Sequence, residues 1–132
     1  MPDISNACEL AYGQGLTVNI NAAAGHATDW YGTDFNPIHT ECANDLAKAA
    51  GHGATLDGLP FAEFCNRADL PGFDLIFLTG TWSWISNADR LVIRKFLRKK
   101  LNPGGNFVVH YHASPGAFED IWLRSLLLDR RQ

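Results

Sequence analysis

The sequence predicts a three-layer α/β domain, a mostly parallel sheet of five strands with helices on both faces. Short apolar runs alternate with longer amphipathic segments along the chain, the pattern of strands joined by helical crossovers. One run, FDLIFLT (Phe73 to Thr79), is apolar almost throughout, as a strand buried on both faces is. Crossovers of this length are right-handed and bring the next strand in parallel. At 132 residues the chain makes one domain, near the lower limit for a sheet covered on both sides.

The first strand is predicted over Ile4 to Ala11, ending in a turn from Tyr12 to Gly15. Leu16 to Ala24 then reads as a helix with small residues on its inner face. A second strand, Asp29 to Asp34, precedes Asn36-Pro37, an N-cap followed by proline at the first helical position, and Gly51 closes that helix. A short third strand covers Ala54 to Asp57, with a helical turn or two through Phe61 to Ala68. Pro71-Gly72 marks the start of the fourth strand, and Ser86 with Asp89 forms a capping box for a helix running to Lys100. LNPGG (Leu101 to Gly105) breaks that helix and leads into a fifth strand, NFVVHY, after which Gly116 to Arg130 reads as a last helix. Phe61, Phe64 and Phe96 are assigned to the core.

Composition excludes several classes of function. Hydrophobic residues make up 46% and charged residues 19%, a globular balance, and the net charge of −3 does not favour nucleic acid or an anionic membrane. The one basic cluster, Arg90, Arg94, Lys95, Arg98, Lys99 and Lys100, reads as the solvated face of a helix. Cys8, Cys42 and Cys65 are odd in number and lack metal-ligand spacing, so no metal site is expected and the thiols read as reduced. No run is long enough to span a membrane and the N-terminus lacks signal-peptide character, so the expected location is the cytoplasm.

Parallel sheets bind ligands beyond the carboxyl ends of their strands. The stretch CELAYGQGL lies at the first such end. Gly13 and Gly15 permit close backbone approach and positive φ, and the helix from Leu16 offers free N–H groups. A dinucleotide fingerprint fails because Val18 occupies the third glycine position, and no G-K-[ST] of a phosphate loop follows. Glu9 narrows the ligand further: a carboxylate there repels a pyrophosphate and suits a ligand with a cationic group. S-adenosyl-L-methionine, with its ammonium and sulfonium, is such a ligand. Asp34 at the second strand end is placed to accept both ribose hydroxyls, and Asp57 at the third to accept from the adenine amino group.

These motifs together resemble the class I S-adenosylmethionine-dependent methyltransferases: CELAYGQG, GTDFNP, the LD of the third strand, FDLIFLTGTWSW and LNPGGNFVVHY, in that order. TGTWSWIS and HYHASPGA are most similar to a bacterial group often followed by a methyltransferase regulatory domain. The resemblance implies a Rossmann-like sheet of order 3-2-1-4-5. It also implies cofactor contacts from Glu9, Ala11, Tyr12, Gly13, Gly15, Asp34, Phe35, Asp57, Gly58, Thr79 and Gly80. Thr81, Trp82, Trp84 and Ser114 would face the methyl acceptor, a small molecule or a protein, with Tyr111 and His112 as the catalytic pair and His112 the base. One of the two tryptophans is expected in the core. Ala11 stands where the family has its first motif glycine.

The family's C-terminal β-hairpin and its N-terminal helix are not expected within this chain. The fifth strand would then be an exposed edge, which predicts a homo-oligomer or a short form that needs a partner, with a fragment of a larger enzyme as the alternative. The alternative to an enzyme is a non-catalytic S-adenosylmethionine-binding module or the partner subunit of a heteromer; a nucleotide or dinucleotide enzyme is a third reading.

Overall fold

A computed structural model describes residues 4–25 and 27–111. Five strands, β1 (Asn6–Leu10), β2 (Asp29–Thr33), β3 (Thr55–Asp57), β4 (Phe73–Thr79) and β5 (Leu101–His110), alternate with four helices. The helices are α1 (Leu16–Ala24), α2 (Pro37–Ala50), α3 (Phe61–Phe64) and α4 (Asn87–Lys100). The sheet order is β3-β2-β1-β4-β5, and every pair is parallel. The helix expected over Gly116 to Arg130 lies outside the described residues.

Alternation along the strands divides the core between the two faces. Cys8, Leu10, Phe73, Ile76 and Leu78 pack with Phe64, Ile93 and Phe96 of α3 and α4. Ala7, Trp30 and Leu56 pack with Val18, Ala22, Ala43 and Ala47 of α1 and α2. Glu9, two residues from Ala7, therefore projects towards the α1 side. Asn36 caps α2 by accepting from the Ile38 N–H at 3.0 Å, and Gly51 ends it in the left-handed conformation. The Ser86 hydroxyl caps α4 by accepting from the Asp89 N–H at 3.1 Å.

Two expectations need correction. α3 is a single turn, Phe61–Phe64, and does not extend to Ala68. β5 begins at Leu101 rather than Asn106, because Leu101 already pairs with Phe73 and the intervening residues bulge before pairing resumes at Leu75 with Asn106. Gly105 allows that detour: a Cβ there would lie 3.1 Å from the Asp74 carbonyl oxygen. The Asn102 amide secures it by donating to Asp74 Oδ1 at 2.8 Å.

The strand ends are level, with Leu10 beside Thr33 and Leu78, and Thr33 beside Asp57. The chain then leaves β1 through Ala11, whose φ of 56° is the one positive value outside glycine among the described residues. The Ala11 and Tyr12 N–H groups both donate to the Thr33 carbonyl, at 2.8 and 3.3 Å, which holds the turn in this strained form. Left-handed backbone costs a non-glycine residue about 1–2 kcal/mol, and glycine returns part of that in unfolded-state entropy. Ala11→Gly is therefore expected to stabilise the domain by roughly 0.5–1 kcal/mol in urea denaturation.

Candidate functional site

The two glycines of the β1–α1 turn do different work. Gly13, with φ of 57°, faces open space: a Cβ built there meets nothing within 4 Å. Gly15, with φ of 77°, would place its Cβ 2.4 Å from that of Ala43, so its bareness lets α1 lie against α2. Asn19 strengthens that contact by donating to the Ala43 carbonyl at 3.1 Å. Gly13 is the half of the motif that faces open space; Gly15 is taken up by helix packing.

Asp34 follows the last residue of β2 and is buried. Its Oδ2 accepts from the Gly13 N–H at 2.9 Å, and its Oδ1 from the Asn36 N–H at 2.9 Å, with His39 Nδ1 also 3.1 Å from Oδ1. The carboxylate thus ties the glycine turn to the start of α2. With two lone pairs on each oxygen, one acceptor position of Oδ2 is left for a ligand.

Glu9 is 3% exposed, and its Oε2 has no hydrogen-bond partner among the described residues. Burial pushes the carboxyl up from its ordinary value near 4.5 to about 7; hydrogen bonding from the Val18 backbone and the Thr79 hydroxyl lowers it only in part. A buried oxygen with no donor costs about 1–3 kcal/mol. A cation brought to it removes that cost.

At β3, the Asp57 carbonyl accepts from the Tyr12 hydroxyl at 2.9 Å and from the Asp34 N–H at 3.1 Å. Tyr12 is thereby a buried latch across the three strand ends, with Gly32 leaving room for its ring. Gly58 packs against Thr40, 3.0 Å from the position its Cβ would take. The Asp57 carboxylate accepts from Arg67 Nη1 at 2.6 Å, and Arg67 also grips Asp69 with Nε and Nη2 at 3.0 and 2.5 Å. Neither Arg67 nor Asp69 was expected at the site; their place in a short loop after a one-turn helix carries no motif that would identify them.

A cleft of about 310 Å³ opens between the tips of β1, β2 and β4, within the size range of small-ligand sites. Ala11, Asp34, Phe35, Phe61, Thr81 and Trp84 are among its walls. Phe61, assigned to the core from sequence, is half-buried and lines this cleft, whereas Phe64 and Phe96 are core. Trp82 packs on the core beneath the Arg90 guanidinium, 5.5 Å from its ring centroid, while Trp84 is half-exposed at the cleft. Asp89 also lines the cleft and was missed, because its capping role accounted for it in the sequence. Gly80 takes φ of 70° and donates to the His110 carbonyl at 3.1 Å, turning the chain away after Thr79. Tyr111 is exposed beyond β5; His112 and Ser114 lie outside the described residues.

Level strand ends, a glycine turn and an acidic residue at or next to the end of each of the first three strands sit on a five-stranded parallel sheet of order 3-2-1-4-5, a Rossmann-like fold that solved methyltransferase structures share. PKMT2 from Rickettsia typhi, solved in complex with AdoHcy, superposes with a TM-score of 0.80 at 22% identity, over 94% of this chain and 24% of that one. An S-adenosylmethionine-dependent methyltransferase from Clostridium acetobutylicum gives 0.66 at 20% identity, over 80% of this chain and 42% of that one. In sequence, the chain is 40% identical over 112 residues to sll1526, an uncharacterized protein of Synechocystis sp., covering 84% of this chain and 22% of that protein. It therefore spans about a quarter of the length of PKMT2 and of sll1526. No protein-family model matches the chain. No helix among the described residues is long and apolar enough to cross a membrane.

Proposed function

We propose that this domain binds S-adenosylmethionine and takes part in transferring its methyl group to a small-molecule or protein acceptor. The observation that carries the reading is the buried, unpartnered Glu9 Oε2 beside a glycine turn that faces open space at Gly13. An ammonium fits that oxygen, and a diphosphate does not. When bound, the cofactor supplies an electrophilic methyl group on a sulfonium that is already a good leaving group.

The chain's own part is to bind, orient and exclude water. Glu9 and the Gly13 turn would hold the amino-acid end, the remaining acceptor position of Asp34 a ribose hydroxyl, and Asp57 the adenine amino group. Phe35 and Phe61, on the walls of the cleft, offer apolar contact to a planar base. Thr81 and Trp84 are the described residues best placed to meet the acceptor, with Tyr111 beyond β5 and His112 next in sequence as the proposed base. An aromatic wall such as Trp84 suits a planar or cationic acceptor group.

Calorimetry tests the reading with S-adenosylmethionine, S-adenosylhomocysteine and NAD as titrants. The first two are expected to bind and NAD not to. Asp34→Ala removes a charged acceptor, worth about 1.5–3 kcal/mol, so a loss of roughly 10- to 100-fold in affinity is expected. Because it also frees the Gly13 and Asn36 N–H groups, its melting temperature should fall while the circular dichroism stays native. Preference for NAD would overturn the cofactor assignment, and unchanged affinity in Asp34→Ala would overturn the ribose assignment.

A further inference from the structure

We infer that Arg67 is a positioning residue for base recognition: anchored on Asp69, it holds the Asp57 carboxylate so that a ligand bearing a 6-amino purine is chosen over its 6-oxo counterpart. This rests on the proposed cofactor reading and extends it to a residue outside every motif at the strand ends.

Arg67 grips Asp69 through two parallel bonds, Nε to Oδ1 at 3.0 Å and Nη2 to Oδ2 at 2.5 Å. That fork fixes the plane of the guanidinium. Its cation also lies 5.9 Å from the centroid of the buried Phe64 ring, a second restraint on the same plane. Only Nη1 is then directed to Asp57, at 2.6 Å from Oδ2. Asp57 Oδ1 is left without a protein partner among the described residues. The backbone under this carboxylate is fixed as well, since the Asp57 carbonyl accepts from Tyr12 and from Asp34.

The chemistry of such a group is one-sided. An ionised carboxylate accepts hydrogen bonds and donates none. A fixed Oδ1 therefore rewards an exocyclic amine and opposes a carbonyl oxygen at the same place. Arg67 contributes twice, by stopping the side chain from turning away and by balancing its charge, so that a neutral base is not excluded in favour of a cation. Arg67 and Asp57 are each only about a quarter exposed, at 28% and 27%, so solvent screens this pair less than an open surface pair. Sites that hydrogen-bond a particular substrate group discriminate strongly against analogues that lack it.

The test measures affinities of the intact protein for S-adenosylhomocysteine and S-inosylhomocysteine, which differ at the purine 6-position. Wild type is expected to prefer the adenosyl compound at least tenfold. Arg67→Ala should bind the adenosyl compound about tenfold more weakly and the inosyl compound unchanged, so the preference collapses. Asp69→Ala, at an exposed position, leaves Asp57 and Arg67 in place but frees the fork, and should lose part of the preference with the fold intact. Asp57→Asn, which can donate to a carbonyl, should reduce or reverse it. Equal weakening of both compounds in Arg67→Ala, or an unaltered preference in Asp69→Ala, would overturn the positioning role. Absence of adenosyl binding in wild type would instead overturn the cofactor reading beneath it.

Discussion

Gly15→Ala is expected to destabilise the domain by about 3 kcal/mol or more, a large share of the stability of a small domain. Two costs coincide at this position. The backbone sits at φ of 77°, where a side chain adds about 1–2 kcal/mol. The new methyl would also lie 2.4 Å from the Ala43 Cβ and 3.1 Å from its Cα, and neither atom is the end of a flexible chain. Ala43 is fully buried, so α1 and α2 must part, taking the Asn19 bond to the Ala43 carbonyl with them. Gly13→Ala is the control. It carries a similar backbone penalty at φ of 57° but meets nothing within 4 Å, so after the unfolded-state entropy that glycine loses its net cost should stay at about 0.5–1 kcal/mol. Urea denaturation of the two variants separates packing from strain; equal losses would sink the assignment of Gly15 to helix packing.

The contrast between these glycines marks how far the sequence could be read. Parallel order, helix caps and the acidic strand ends were legible because each depends on local pattern: the apolar run of β4, the Asn36-Pro37 start, the Ser86 to Asp89 spacing. Which glycine faces a ligand was not, since it depends on Ala43, distant in sequence and close only after folding. Trp82 and Trp84 posed the same problem, for the residue that separates them is Arg90, a turn into α4, which takes the face of one ring and leaves the other at the cleft. Arg67 was invisible for a further reason. It contacts Asp57 across a loop whose length and shape no local preference dictates, so a charge in that loop reads as solvated until its partners are in place. The bulge in β5 belongs here too: LNPGG signals a break, and only the fit of Gly105 over Asp74 makes it a detour within the strand.

Glu9→Gln is expected to make the protein more stable at pH 8 and nearly unable to bind its proposed cofactor. The first effect follows from the titration. In the unfolded chain the carboxyl ionises near 4.5, and in the fold near 7, with burial the main cause. Between those values the folded state holds the extra proton, so stability is greatest below about 4.5, declines as pH rises through about 7, and levels off above it. Glutamine keeps the shape without the charge. It should abolish that decline and, at pH 8, recover on the order of 2 kcal/mol otherwise lost to burying the ionised carboxylate. The second effect is opposite in sign. A ligand ammonium stabilises the ionised carboxylate, so below pH 7 binding must drive a proton off Glu9; at pH 6, calorimetry in buffers of different ionisation heat should detect that release in wild type and none in Glu9→Gln. Affinity should fall roughly 30-fold or more, as when one partner of a buried charge pair is removed. A residue conserving nothing but packing would respond in the reverse way, with stability lost and affinity kept, and that outcome would remove Glu9 from the site. Stability gained together with affinity lost would identify Glu9 as a buried charge retained for the ligand it meets.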